Sequence, residues 1–322
     1  MAKRLRCLWH RGRLAPGPRW GMELLMSAIV NIPAQFNNLT MYEFFSQVFD
    51  KNADFLDEEY IFDFAALEFI WPSGVTALAN TTKLLLEENI KIFYKDHRDN
   101  KNAVKFLDRN GFFEYFVGEK NDPAIERKLT TFPLSFVSLS TRWSFYDNYF
   151  TPWIDYVLGV DTKKNFSALN VCLDELFNNI QDHSTRSLGC MFAQHYPQNR
   201  NVIIAISDFG IGIANNVRKI KNVEKDSEAI SLAITEGFST KSTPRNRGAG
   251  LNTVIRQIAE THKGRVSIYS WRGQLDMDED KIKLSDVGFD CAPYPGTMVA
   301  LTLSLDKIKI MDEIDNEEEF SW

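Results

Sequence analysis

Apolar positions between residues 26 and 117 fall into two alternating rhythms. The runs at 27–32 (SAIVNI), 60–64 (YIFDF) and 90–94 (IKIFY) are short, rich in β-branched and aromatic residues and bounded by polar stretches, which predicts strands. Residues 41–49 read as an amphipathic helix. After Pro72-Ser73-Gly74, the stretch 75–88 places apolar side chains at 75, 78, 79, 84, 85 and 86, a roughly helical period, and 103–110 reads as a further helix up to a terminating Gly111. This β-α-β-α order predicts a small α/β domain ending near Val117.

Residues 118–128 (GEKNDPAIERK) are polar and contain a proline, as a linker does. The stretch 129–158 then gathers Phe132, Phe136, Trp143, Phe145, Tyr146, Tyr149, Phe150, Trp153 and Tyr156, which reads as core or domain-interface packing because aromatics bury large areas. A second domain follows. The expected layout is a basic leader at 1–25, an α/β domain at 26–118, a linker and aromatic connector at 119–148, a second α/β domain at 149–306 and an acidic tail at 307–322.

A length of 322 residues suits this two-domain division, at roughly 150 residues per domain. With 44% hydrophobic and 25% charged residues, the chain is neither mostly disordered nor collagen-like. Charge is unevenly spread. The net charge is −6, but the first twenty residues hold six Lys/Arg and no acid, so the remaining 302 carry 31 basic against 43 acidic residues, or −12. That balance disfavours nucleic acid as a partner. The leader reads as unstructured, and three origins compete for it: a transit-like presequence, a basic tail, or a native start at Met22 or Met26. The abrupt change of composition favours the last. The tail carries six Asp/Glu between 311 and 322 and reads as solvated.

Cys7, Cys172, Cys190 and Cys291 form no C-x-x-C pair, which argues against a zinc site or a disulfide framework and for a reducing compartment. No stretch approaches the roughly 18 apolar residues of a membrane span. The expectation is a cytoplasmic protein with no membrane partner.

Four segments carry candidate chemistry. In 171–183 (VCLDELFNNIQDH), Leu173, Leu176, Phe177 and Ile180 build one apolar helical stripe, and Glu175, Asn179 and His183 share a flank beside it. Such a column can wall a ligand pocket or face solvent. Next, 201–206 (NVIIAI) is a strand running into Ser207-Asp208-Phe209-Gly210-Ile211-Gly212. An Asp at a strand end can accept from an exocyclic amine, and glycines let backbone approach a flat ring; a ligand-free turn is the alternative. The third segment is Glu236-Gly237-Phe238-Ser239-Thr240-Lys241, then Arg245-Asn246-Arg247-Gly248-Ala249-Gly250-Leu251, opening a helix at 252–262. A glycine-rich turn at a helix N-terminus is an anion site suited to polyphosphate. No G-x-x-x-x-G-K-[ST] occurs, so the chain is not a P-loop enzyme. Finally, Pro295-Gly296-Thr297 precedes the alternating strand 298–303, which can close the pocket floor.

In this order and spacing the four segments resemble the boxes of the GHKL ATPase superfamily, which includes gyrase, MutL, heat-shock chaperones, sensor histidine kinases and anti-sigma serine kinases. Glu175-x-x-x-Asn179-x-x-x-His183 resembles its N box, Asp208-x-Gly210-x-Gly212 its G1 box, Gly248-x-Gly250-Leu251 its G2 box, and Gly296-Thr297 its last box. The resemblance spans about 149–305 and implies a Bergerat two-layer α/β sandwich with a mixed sheet, binding ATP and Mg²⁺. It further implies that Asn179 holds the Mg²⁺, that Asp208 binds the adenine amine, and that Gly210 and Gly212 line the base, with Thr297 at the pocket floor. Gly248, Gly250 and the helix start at Leu251 would cradle phosphate, and Lys241 or Arg247 would neutralise the γ-phosphate from a mobile lid between Ala214 and Arg247. Glu175 would be the general base and His183 a supporting group.

In the first domain, 63–75 (DFAALEFIWPSGV) together with 103–113 (AVKFLDRNGFF) resembles a STAS domain of the anti-sigma-factor-antagonist type. There the serine before the glycine is the phosphoacceptor, and Ser73 occupies that place, although Trp71-Pro72 replaces the usual Asp-Ser. As a purely structural residue, Ser73 would be the N-cap of the following helix.

The overall expectation is thus a STAS-like α/β domain followed by a GHKL domain. Upstream of the N box the candidate histidines are His10, in the leader, and His97, in a charged loop, and neither suits a sensor kinase's phosphoacceptor helix. The expected function is a regulatory ATPase or serine/threonine-type protein kinase acting by partner switching, with a regulatory protein partner and a homodimer as an option. A clamp-like ATPase and a non-catalytic ATP sensor are the alternatives.

Overall fold

The computed structural model describes residues 27–138, 140–159, 188–235, 238, 251–279 and 281–307. Its N-terminal unit runs β1 (Ala28–Asn31), β2 (Gln35–Phe36), α1 (Met41–Phe45), β3 (Glu59–Asp63), β4 (Phe69–Ile70), α2 (Pro72–Glu87), β5 (Lys91–Lys95), α3 (Asn102–Arg109) and α4 (Phe112–Val117). Strands β1, β3 and β5 form a parallel sheet in the order β1-β3-β5, and β2 pairs with β4.

Helix α2 is the pivot of this unit. Trp71 is extended, and Pro72 supplies the fixed φ of a first helical position. Every residue from Pro72 to Thr82 is buried. Its buried threonines bond within the helix: Thr76 Oγ donates to the Pro72 carbonyl at 3.2 Å, Thr81 to Ala77 at 2.9 Å and Thr82 to Leu78 at 2.8 Å.

The rest of the chain adds β6 (Thr131–Ser138), α5 (Arg142–Phe145), a π-helical turn (Tyr146–Phe150), α6 (Thr151–Leu158), β7 (Leu188–Tyr196), β8 (Asn201–Phe209), α7 (Gly212–Val217) and α8 (Asp226–Ala233). Then come α9 (Leu251–Ile255) with a π-helical extension (Arg256–Thr261), β9 (Arg265–Trp271), β10 (Gly273–Met277), β11 (Ile282–Asp286) and β12 (Tyr294–Ser304). Seven strands form one sheet in the order β11-β10-β9-β12-β8-β7-β6. The stretch read as a connector therefore contributes an edge strand, β6. The expectation of a mixed sheet is corrected, since every pairing in this sheet among the described residues is antiparallel. The cause is the position of β12, which lies between β8 and β9 and separates two strands that run in the same direction.

Side chains of a strand alternate between faces, and here each face has its own cover. Val202, Ile204 and Ile206 of β8 join Val266, Ile268, Val299, Leu301 and Leu303 in a core roofed by residues of α6, α7, α8 and α9. On the opposite face Cys190, Phe192, Phe209, Tyr269, Tyr294 and Met298 share a core with the N-terminal unit, including Phe44, Phe45, Phe62, Leu78 and Leu85. Helix α2 crosses β7 and β8 on this face and also touches β5, so it lies between the two sheets. Polar contacts stitch the seam: Asn80 Nδ2 donates to Ser207 Oγ at 2.7 Å, Asn38 Nδ2 to Tyr269 Oη at 2.6 Å, the Ala292 amide to Ser46 Oγ at 3.0 Å and Arg272 to the Lys51 carbonyl at 2.9 Å. Among the described residues no helix is long and apolar enough to cross a membrane.

Candidate functional site

Strand β8 ends on Ser207-Asp208-Phe209, and its pleat sends Asp208 to the helix-covered face while its two neighbours face the N-terminal unit. Asp208 is 2% exposed, and among the described residues its Oδ2 has no hydrogen-bond partner. Burial raises its carboxyl to about 7, against the opposing pull of the Thr297 and Asp208 backbone N–H groups. A buried acceptor without a donor is costly, and native proteins keep such groups chiefly where a ligand or water supplies the missing partner. In register, Asp208 pairs with Thr297 of β12, and Thr297 with Ser270 of β9, so one row crosses the three central strands.

The turn after Asp208 is held from two sides. Gly210 N–H donates to the Pro295 carbonyl at 3.0 Å. Ser270 Oγ accepts from the Ile213 amide at 2.8 Å, donates to the Gly296 carbonyl at 2.9 Å and lies 3.3 Å from Thr297 Oγ1. Trp271 Nε1 donates to the Ile211 carbonyl at 2.9 Å, from a backbone with φ +53°, an unusual conformation for a bulky residue. Two glycines make this closeness possible. At Gly212 (φ +71°) a Cβ would stand 2.7 Å from both Ser270 Oγ and Trp271 Cδ1, and at Gly296 (φ +154°) one would stand 2.2 Å from the Asp208 carbonyl oxygen. The fold itself thus supplies a reason for glycine at 212, in the strand packed beneath it.

The first part of the expected lid is not free. Residues 214–235 contain most of α7 and all of α8, whose Ala214, Val217, Ala229 and Ile230 are buried in the sheet core. Asp226 pairs with Arg218 at 2.6 Å and accepts from the Arg272 amide at 3.0 Å, while the Ser227 amide donates to Asp286 at 3.0 Å. Leu251 opens α9 with its side chain 8% exposed in the core, so a phosphate-binding role there falls to backbone.

Glu175, Asn179, His183, Lys241, Arg247, Gly248 and Gly250 lie outside the described residues, so the structure brings together only Asp208, Gly210, Gly212 and Thr297 of the expected purine end. Among the described residues no cluster of three or more His, Cys, Asp or Glu could hold a metal. Ser73 is the second residue of α2 and 6% exposed; the cap position belongs to Trp71, which corrects the reading of Ser73 as N-cap.

Ser270, Trp271 and Ser207 escaped the sequence reading. Ser270 and Trp271 sit at the end of a strand, RVSIYSW, whose alternation reads as ordinary sheet, and nothing local marks the two that reach the turn. Ser207 carries no signal of its own in the sequence beside Asp208.

A strand-end carboxylate with an unfilled acceptor among the described residues thus stands beside a glycine turn, on the face of the sheet that the helices cover. Comparison with protein families then gives the relationship: residues 165–307 match the family described as histidine kinase-, DNA gyrase B-, and HSP90-like ATPase. That span contains every box quoted above. The chain matches no curated protein.

Proposed function

We propose that the C-terminal unit binds ATP and that the protein is a regulatory ATPase or protein kinase of the partner-switching kind. The observation that carries this reading is the buried Oδ2 of Asp208, which has no partner among the described residues and stands in register with Thr297 inside the matched segment. An adenine exocyclic amine is a donor of the right type for it. Asp208 and Thr297 would hold the base. By the family resemblance, Asn179 would hold Mg²⁺, the phosphates would lie against Gly248, Gly250, Lys241 and Arg247, and Glu175 would orient the accepting hydroxyl or water. Bound ATP supplies the transferable phosphoryl group.

The N-terminal unit is proposed as STAS-like, and its place in this function is regulatory, with a protein partner outside the chain. One observation favours the clamp-type ATPase as the second reading. Ser73 is buried in a helix that packs on the face of the sheet opposite Asp208, so transfer from the site to Ser73 within one chain has no direct route.

Calorimetric titration of a non-hydrolysable ATP analogue with Mg²⁺ tests the site. Saturable binding that Asp208→Asn weakens supports it, and no binding by the wild-type chain overturns it. Incubation with γ-labelled ATP then divides the two readings: label on a protein hydroxyl supports the kinase, and phosphate release without label, lost in Glu175→Ala, supports the clamp.

A further inference from the structure

We propose that Asn80, on the central helix of the N-terminal unit, is a positioning residue for the nucleotide site of the C-terminal unit, so that the grip on adenine depends on how the N-terminal unit sits behind the sheet. This inference rests on the adenine-site reading above.

Three consecutive residues carry the argument. Ser207, 0% exposed, accepts a hydrogen bond from Asn80 Nδ2 at 2.7 Å, and Asn80 is itself buried at 7%. Phe209 packs edge-on against Phe45 and Phe49, with ring centroids 6.2 Å away in each case. Between them Asp208 points to the other face, its Oδ2 without a partner among the described residues. Successive strand residues share peptide planes, so a tilt that relaxes Ser207 or Phe209 also re-aims Asp208.

The contact is specific to this end of the strand. Tyr294, which leads into Gly296 and Thr297, is fully buried beside Ser207 and Asn80, and its ring meets Phe45 at 5.3 Å and Phe209 at 5.4 Å. The N-terminal unit therefore touches both strand ends that frame the purine pocket, from behind and with buried groups. Other polar contacts of the seam reach β9 and the loops around it, and behind β7 Phe106 meets Phe192 by ring packing at 5.8 Å. An Asn–Ser bond behind the strand end fixes register and orientation more sharply than packing does, because its geometry is directional.

The test compares Asn80→Ala and Ser207→Ala, which break the bond from its two sides, with Phe106→Leu, which loosens the same seam away from the site. Two readouts are taken on the full chain: the Kd for the ATP analogue with Mg²⁺, and hydrogen exchange of the 207–210 amides without nucleotide. We expect either bond variant to weaken binding about five- to tenfold, the scale of one net hydrogen bond, and the double variant to weaken it no further. Exchange at 207–210 should rise about tenfold in the bond variants. Phe106→Leu should lower Tm yet change neither readout by more than about twofold. Wild-type affinity and exchange in both bond variants, or equal losses in Phe106→Leu, overturn the proposal. If the wild-type chain binds no nucleotide, the adenine reading fails on its own, and unchanged exchange in the bond variants would still overturn the positioning role.

Discussion

Ser270 Oγ accepts a hydrogen bond from the Ile213 amide at 2.8 Å and donates one to the Gly296 carbonyl at 2.9 Å. One hydroxyl thereby clamps the turn after Asp208 to the strand that carries Thr297. Removing it in Ser270→Ala leaves a buried donor and a buried acceptor unpaired, so we expect a loss of about 1–3 kcal/mol in urea unfolding. An unchanged midpoint would mean that the turn is held without the hydroxyl.

The carboxyl of Asp208 sets a pH dependence whose sign can be worked out. Burial raises it from an ordinary 3.8 to about 7. The unfolded chain releases this proton near pH 4 and the folded chain only near 7, so the nucleotide-free protein loses stability as pH rises between those values and levels off above. The loss approaches about 4 kcal/mol relative to Asp208→Asn, which lacks the titration. Denaturation midpoints of the two proteins from pH 4 to 8 measure it, and parallel curves would remove Asp208 as the source.

Nucleotide binding should run the other way. A donor amine favours the ionised carboxylate, so affinity for the ATP analogue should rise as pH increases through about 7 and proton release should accompany binding. Calorimetry in buffers of different ionisation enthalpy detects that proton. A flat affinity profile would place the adenine contact elsewhere.

Gly296→Ala puts a Cβ 2.2 Å from the Asp208 carbonyl oxygen in a conformation that L side chains rarely adopt. A destabilisation of at least about 2 kcal/mol is expected, together with weaker nucleotide binding, because the displaced strand is the one bearing Asp208. Gly288→Ala, at a position with open space around it, is the control and should be near neutral.

The shared core behind the sheet predicts joint unfolding. Phe45, Phe209 and Tyr294 form one aromatic group across the seam. Heat or urea should therefore unfold both units in one transition by calorimetry and circular dichroism, and Phe45→Ala should shift the whole transition by about 3–5 kcal/mol. Two separate transitions would show the units to be thermodynamically independent.

Local pattern made the strands at 28–31, 59–63 and 91–95 legible, because alternation and flanking polar residues act within a few positions. Helix α2 was legible as well, although it starts three residues earlier than the apolar period suggests, where Pro72 fits a first turn. The helix expected at 41–49 ends at Phe45, and Phe49 instead bridges to Phe55. The strand end at Asp208 and the glycine turn after it were legible from their own residues. The seam could not: Asn80 and Ser207 are 127 residues apart, and a threonine- and asparagine-bearing helix looks half exposed until a second layer is known to cover it. Insertion of β12 between β8 and β9 is likewise a choice of topology that no local signal encodes.

That insertion has a consequence for biosynthesis. The strand at the centre of the seven is the last of the described strands to leave the ribosome, so β8 and β9 each wait with an open edge until it arrives. A nascent chain in that state offers two unzipped half-sheets to its neighbours, and its escape from aggregation is decided in the interval before the final strand slots home.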